Sequence, residues 1–187
     1  MKIGPITERW NDGERDWSFV KDPTSDIERW EQETGYKLPP DYRKFMIRFN
    51  GGRVFPRRFH TRLAKGPIGP YDNESDITYV NPISSWKSVE SHWREETYGT
   101  GIPPQHLAIA SAPGAIQLLM SLDPENYGKI FAWCHTRTPR GEEGNNILDP
   151  VASDFTTFLK SLFSGGDEDF TSWRTPVFDK IARDFEL

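Results

Sequence analysis

Residues 35–52 read GYKLPPDYRKFMIRFNGG, and the fold turns on how this stretch is read. Pro39 and Pro40 carry fixed φ angles that suit entry to a helix, and Asp41 places a carboxylate beside the positive end of the helix dipole. Tyr42, Phe45, Met46 and Phe49 follow at i, i+3, i+4 and i+7, which draws one apolar face. Asn50, Gly51 and Gly52 tolerate left-handed backbone and end the helix. The spacing predicts a short helix buried on one side, with Gly35, Leu38, Pro39, Tyr42, Phe45, Phe49, Asn50, Gly51 and Gly52 as fold-determining positions.

Upstream, PTSDIERWEQETG has Ser25 three residues before Glu28, the spacing of a capping box, and Ile27, Trp30 and Thr34 fall on one face before Gly35 supplies a stop. Residues 1–23 mix Trp10, Trp17 and Phe19 with many charges and no sustained period, which reads as an arm packed on the domain with a short strand at residues 16–20. Downstream, residues 53–70 interleave Arg53, Arg57, Arg58, His60, Arg62 and Lys65 with apolar residues, an alternation that suggests strand material with a basic outer face. Strand residues 77–80 precede a helix at 84–96 carrying Trp86, Val89 and Trp93. Residues 107–110, 115–122 and 129–134 read as three strands joined by short turns, SAPG and DPENYG, the pattern of antiparallel neighbours. Asp149 and Pro150 are read as the cap of a last helix with Val151, Phe155, Phe158, Leu159 and Leu162 on its apolar stripe. The class expected is α+β, a central antiparallel sheet flanked by N-terminal and C-terminal helices. Residues 24–164 would form one domain, residues 1–23 its arm and residues 165–187 an extension with an amphipathic turn through Val177, Phe178, Ile181 and Phe185.

A chain of 187 residues is long enough to bury a core without metals or disulfides. Its net charge of −5 and pI near 5.4 disfavour a phosphate-backbone binder and suit a cationic partner. Cys134 is the only cysteine, so no internal disulfide framework and no cysteine-based zinc site can form. The sequence has no stretch of about 18 apolar residues, and a cytoplasmic protein with no membrane contact is expected.

Chemistry-bearing constellations are thin. His60, His92, His106 and His135 lie in separate segments without the spacing that puts two imidazoles on one helix face. Cys134 and His135 are neighbours on a strand, so their side chains point to opposite faces. Nucleotide-binding glycine motifs are missing from the sequence. Asp72, Glu74 and Asp76 alternate like calcium ligands, but the loop lacks the glycine and closing glutamate such a site needs. No catalytic residue, cofactor or metal site is expected. The basic, aromatic-interleaved stretch from Arg53 to Lys65 has the composition of an RNA-binding strip, a reading the negative net charge disfavours.

Four collinear motifs resemble the SUKH superfamily of Smi/Knr-type domains. IERWEQETGYKLPPDYRKFMIRFNGG is similar to the family's acidic helix followed by Leu-Pro, Tyr and a terminal Asn-Gly-Gly. GIPPQHLAIASAPGAIQLLMSL resembles its central sheet segment, with Ser111, Ala112 and Ala115 where the family usually carries an acidic residue and an asparagine. YGKIFAWCH, with Trp133 as a further fold-determining residue, resembles its next strand, and VASDFTTFLKSLF its closing helix, where Phe155 and Phe158 fall. The resemblance implies an immunity protein that binds and neutralises a cognate bacterial toxin domain, often a nuclease from a polymorphic or contact-dependent system. Its other implication is a non-catalytic regulatory adaptor for a signalling or cell-wall factor. On the immunity reading, the acidic residues Asp72, Glu74, Asp76, Glu142 and Glu143 are the candidate contacts to a basic toxin surface.

Overall fold

The computed structural model describes residues 1–4, 22–63, 73–93, 101–134, 148–164 and 183–186. Helix α1 (Thr24–Thr34) stops at Gly35, whose φ of 75° is left-handed and whose N–H donates to the Glu31 carbonyl at 3.0 Å. Helix α2 (Pro40–Phe49) begins after Pro39 and ends at Asn50, again left-handed with φ 48°. Tyr42, Phe45, Met46 and Phe49 are all buried, as the spacing requires. The capping box does not form: α1 starts at Thr24, one residue before Ser25, and Asp22 accepts the Thr24 N–H at 2.9 Å instead.

The exit from α2 joins two sheets. Gly52 and Val80 exchange backbone hydrogen bonds at 3.0 and 2.7 Å, linking strand β2 (Arg53–Phe55) to strand β5 (Tyr79–Val80). A Cβ on Gly51 would sit 2.5 Å from the Val80 carbonyl oxygen, and one on Gly52 would sit 2.7 Å from that of Gly4. Both positions therefore need glycine for space as well as for backbone angle.

On one side of this junction β2 lies in the order β10-β1-β2, with β1 at Lys2–Gly4 and β10 at Arg183–Asp184. Strands β1, in the middle, and β10, at the edge, bring residues from near the chain ends against the domain, and Ile3 is fully buried. Neither was legible beforehand, because runs of two or three residues carry no measurable period. The strand expected at residues 16–20 lies outside the described residues, as do Val177, Phe178 and Ile181; Phe185 follows β10 and packs edge-on against Phe45 and Phe49.

On the other side, the order is β5-β6-β7-β8-β9, antiparallel throughout, with β6 at His106–Ala112, β7 at Ile116–Ser121, β8 at Ile130–Cys134 and β9 at Asp149–Ala152. Ile116, Leu118 and Met120 of β7, with Ile130 and Ala132 of β8, face the main core. That core contains the buried faces of α1, α2 and the last helix, α4 (Phe155–Ser161). Leu119 and Trp133 point the other way, into a second cluster with Ala108, where Val89 and Trp93 from helix α3 (Ile83–His92) and its end pack. The alternation follows from the two-residue period of a strand.

Aromatic rings dominate the main core. Phe155 meets Tyr42 at 4.8 Å and Phe45 at 5.0 Å between ring centres, both edge-to-face, pairs worth about 1 kcal/mol beyond their area. This α+β arrangement carries one correction: Asp149 and Pro150 belong to strand β9, and the cap of α4 is Asp154, which accepts the Thr157 N–H at 2.7 Å. The Asp-Pro pair imitates a helix start, but Val151 and Ala152 are extended and Ala152 pairs with Ile130. Among the described residues, no helix is long and apolar enough to cross a membrane.

Gly35 and Gly51, both left-handed with φ of 75° and 85°, separate the two reasons for glycine. Gly35 has open space around its missing Cβ, so Gly35→Ala should cost about 1 kcal/mol for the left-handed angle alone. Gly51→Ala adds collision with the β5 backbone and should cost at least about 3 kcal/mol, read from urea unfolding midpoints.

Candidate interaction surface

Of the acidic residues singled out above, Asp72, Glu142 and Glu143 lie outside the described residues. Glu74 and Asp76 form strand β4 (Glu74–Asp76), which pairs with strand β3 (Arg58–His60) in the register Arg58↔Asp76 and His60↔Glu74. Arg58 is buried, its Nε 3.4 Å from Asp76 and its Nη1 3.6 Å from Glu74, and Arg57 Nη2 stands 3.3 Å from the same Asp76. The expected exposed acidic loop and the expected basic outer face are thus, at these four residues, the two halves of one ladder. Opposite charges directly across strands attract, and burial removes the water that would compete. Charges of opposite sign at two-residue spacing, in Arg58-Phe59-His60 and Glu74-Ser75-Asp76, were the signal available in the sequence. Because breaking a buried pair strands a charge, Asp76→Asn should lower folding stability by about 2 kcal/mol or more in urea titration, with no partner present.

His60, His92 and His106 stay apart, on β3, at the end of α3 and on β6, while His135 lies outside the described residues. Among the described residues, no three His, Cys, Asp or Glu side chains gather where a metal ion could be held.

A different surface is built where three connections meet. The first is the link between α1 and α2, residues 35–39. Glu31, on the last turn of α1, is only 6% exposed, yet it accepts the Leu38 N–H at 3.1 Å and the Lys37 ammonium at 2.9 Å, with Arg43 Nε at 3.7 Å. Burial pushes its carboxyl pKa up, but the Leu38 N–H, Lys37 and Arg43 together outweigh that and hold it below its ordinary value. The second is the β7–β8 turn. Gly128 is left-handed at φ 84°, and a Cβ there would lie 3.5 Å from Pro39 Cγ, so the turn faces the link with room for about one methyl group between them. Tyr127 donates its hydroxyl hydrogen to the Lys37 carbonyl at 3.1 Å while the residue as a whole stays 44% exposed. The third is the start of α4, where Asp41 of α2 reaches across to accept the Thr156 N–H at 2.8 Å beside the helix's own cap, Asp154. Thr157's backbone and hydroxyl donors hold the Asp154 carboxyl low.

Leu38, Pro39 and Phe155, which belong to this junction, are all buried. The sequence reading missed Glu31 and Tyr127. Glu31 stands four residues after Ile27, on the face that packs inward, and a carboxylate at a core position of a helix must be hydrogen-bonded. Tyr127 gave no comparable signal, since its neighbours become neighbours only through the hairpin.

A carboxyl group held low in the folded state contributes stability above its unfolded pKa and loses it as pH falls through the folded value. At pH 7, Glu31→Gln should therefore cost about 1–3 kcal/mol. The gap from wild type should close as pH falls below the ordinary glutamate range and through the depressed folded-state value, measured by denaturant unfolding across a pH series.

Comparison with known proteins bears on what this framework is. No curated protein matches the sequence. The SMI1/KNR4 family (SUKH-1) matches residues 23–161, from the residue before α1 to the last residue of α4. That span holds every element of the junction and well over half of the chain, and the chain belongs to the SMI1/KNR4 family (SUKH-1).

Proposed function

We propose that this protein is an immunity protein of the SUKH type, a cytoplasmic binder that neutralises a cognate toxin domain by one-to-one occlusion and without turnover. The observation that carries the reading is the braced junction: its backbone donors at Leu38, Thr156 and Thr157 are satisfied by carboxylates of the domain itself. A surface held in place before its partner arrives loses little entropy on binding, which is what tight stoichiometric inhibition needs. Family membership supports a protein partner. The net charge of −5 favours a cationic one, such as a nuclease whose active site holds phosphates.

The test pairs the protein with the C-terminal domain encoded by the adjacent upstream gene. Calorimetry should give one-to-one binding, co-expression should abolish that domain's toxicity, and the association rate should fall as salt rises. Absence of both binding and rescue would refute the immunity reading.

A further inference from the structure

Strand β10 and the two residues after it lie outside the span that matches the family, yet they fill a groove beside α2, an element inside that span. The groove has a backbone wall and a side-chain pocket. The wall is β1, where Lys2 pairs with Asp184 and Ile3 with Arg183, and the Phe185 N–H donates to the Met1 carbonyl at 3.0 Å. The pocket is one turn of α2. There the Phe185 ring stands edge-on to Phe45 at 5.7 Å and to Phe49 at 5.4 Å between centres, and only 8% of the residue is exposed.

Two cations line the rim, and both engage the residue before the ring. Lys2 Nζ is 3.0 Å from the Asp184 carboxylate, and Arg48 Nη2 donates to the Asp184 carbonyl at 2.9 Å while its guanidinium carbon lies 5.8 Å from the Phe185 ring centre. Backbone pairing along β1 suits any extended chain, whereas a cationic rim beside an aromatic pocket selects an acidic residue followed by an aromatic one.

The segment is also held lightly. A two-residue strand at a sheet edge makes few ladder bonds, and the Asp184 side chain is 73% exposed, so water weakens its ion pair with Lys2. The buried Phe185 ring supplies most of the hold.

We propose that β1 and the Phe45–Phe49 turn of α2 form a peptide-binding groove for an extended segment carrying an acidic residue followed by an aromatic one. The chain's own Asp184 and Phe185 are its resident ligand. They leave by a local opening, and a segment of the same pattern from a protein partner adds to β1 in their place.

The probe is the synthetic peptide IARDFEL, the sequence of residues 181–187. In the full-length chain, Asp184→Lys combined with Phe185→Ala removes the ring and turns repulsion on Lys2 and Arg48, which frees the groove. Fluorescence anisotropy should show saturable binding of labelled peptide to this variant. Wild type should bind it at least about tenfold more weakly, because its own segment competes at high effective concentration. The peptide with alanine in place of phenylalanine should not bind, and circular dichroism confirms that the variant is folded. Hydrogen exchange on the wild-type chain needs no variant: the Phe185 amide should open with a lower free energy than the β7 amides. Failure of the peptide to bind the folded variant, equal binding of both peptides, or exchange of Phe185 only through global unfolding overturns the inference. A wild-type dimer that grows with concentration and is lost in the variant would make a second copy of this chain the occupant and overturn the assignment to a partner. Each of these outcomes leaves the immunity reading untouched.

Discussion

Two helices joined by five residues leave backbone donors that helix geometry cannot satisfy, and here a carboxylate from inside the domain takes up that task. Glu31 accepts the Leu38 N–H, which fixes where the chain turns and lets Pro39 open α2 in the right direction. Once α2 is aimed, Tyr42 and Phe45 meet Phe155, and Asp41 reaches the start of α4. The β7–β8 turn faces Pro39 and is tied to the same link by the Tyr127 hydroxyl, which donates to the Lys37 carbonyl. A carboxylate in this position would be costly to bury alone; the Leu38 N–H, the Lys37 ammonium and the nearby Arg43 guanidinium make it an organising element.

The other end of α2 depends on space as much as on bonding. Gly51 and Gly52 pass so close to β5 and β1 that no side chain fits, and the backbone exchange with Val80 makes one continuous strand succession from β10 to β9. The short helix is thus bounded by a polar brace at its start and a steric constraint at its end. Both act on backbone position, which is why the aromatic core between them can be so closely interlocked.

Much of this was legible in the sequence, and the parts that were not share a cause. Periodicity placed α2, its buried face, the three central strands and, at Phe155, Phe158 and Leu159, the apolar stripe of the last helix, though Val151 belongs to β9, because repeating patterns of local spacing report directly on burial. It failed where identity depends on a distant partner. Asp149 and Pro150 resemble a helix cap until Thr61 and Arg62 claim the Asp149 carboxylate and β8 claims the strand. Glu74 and Asp76 resemble free surface charge until β3 brings Arg57 and Arg58 to them. Tyr127 resembles an ordinary turn residue until the hairpin sets it on the α1–α2 link. In each case the deciding contact spans tens of residues, and composition within a window cannot contain it.

The central claim is that the α1–α2 link, the β7–β8 turn and the start of α4 form one cooperative unit with the core. Native-state hydrogen exchange in low denaturant tests it most directly, because it reads the opening free energy of individual amides. The account predicts that the Leu38, Gly128 and Thr156 amides exchange only through global unfolding, with the same opening free energy as β7. Exchange of any of the three through a small local opening, independent of denaturant, would contradict it.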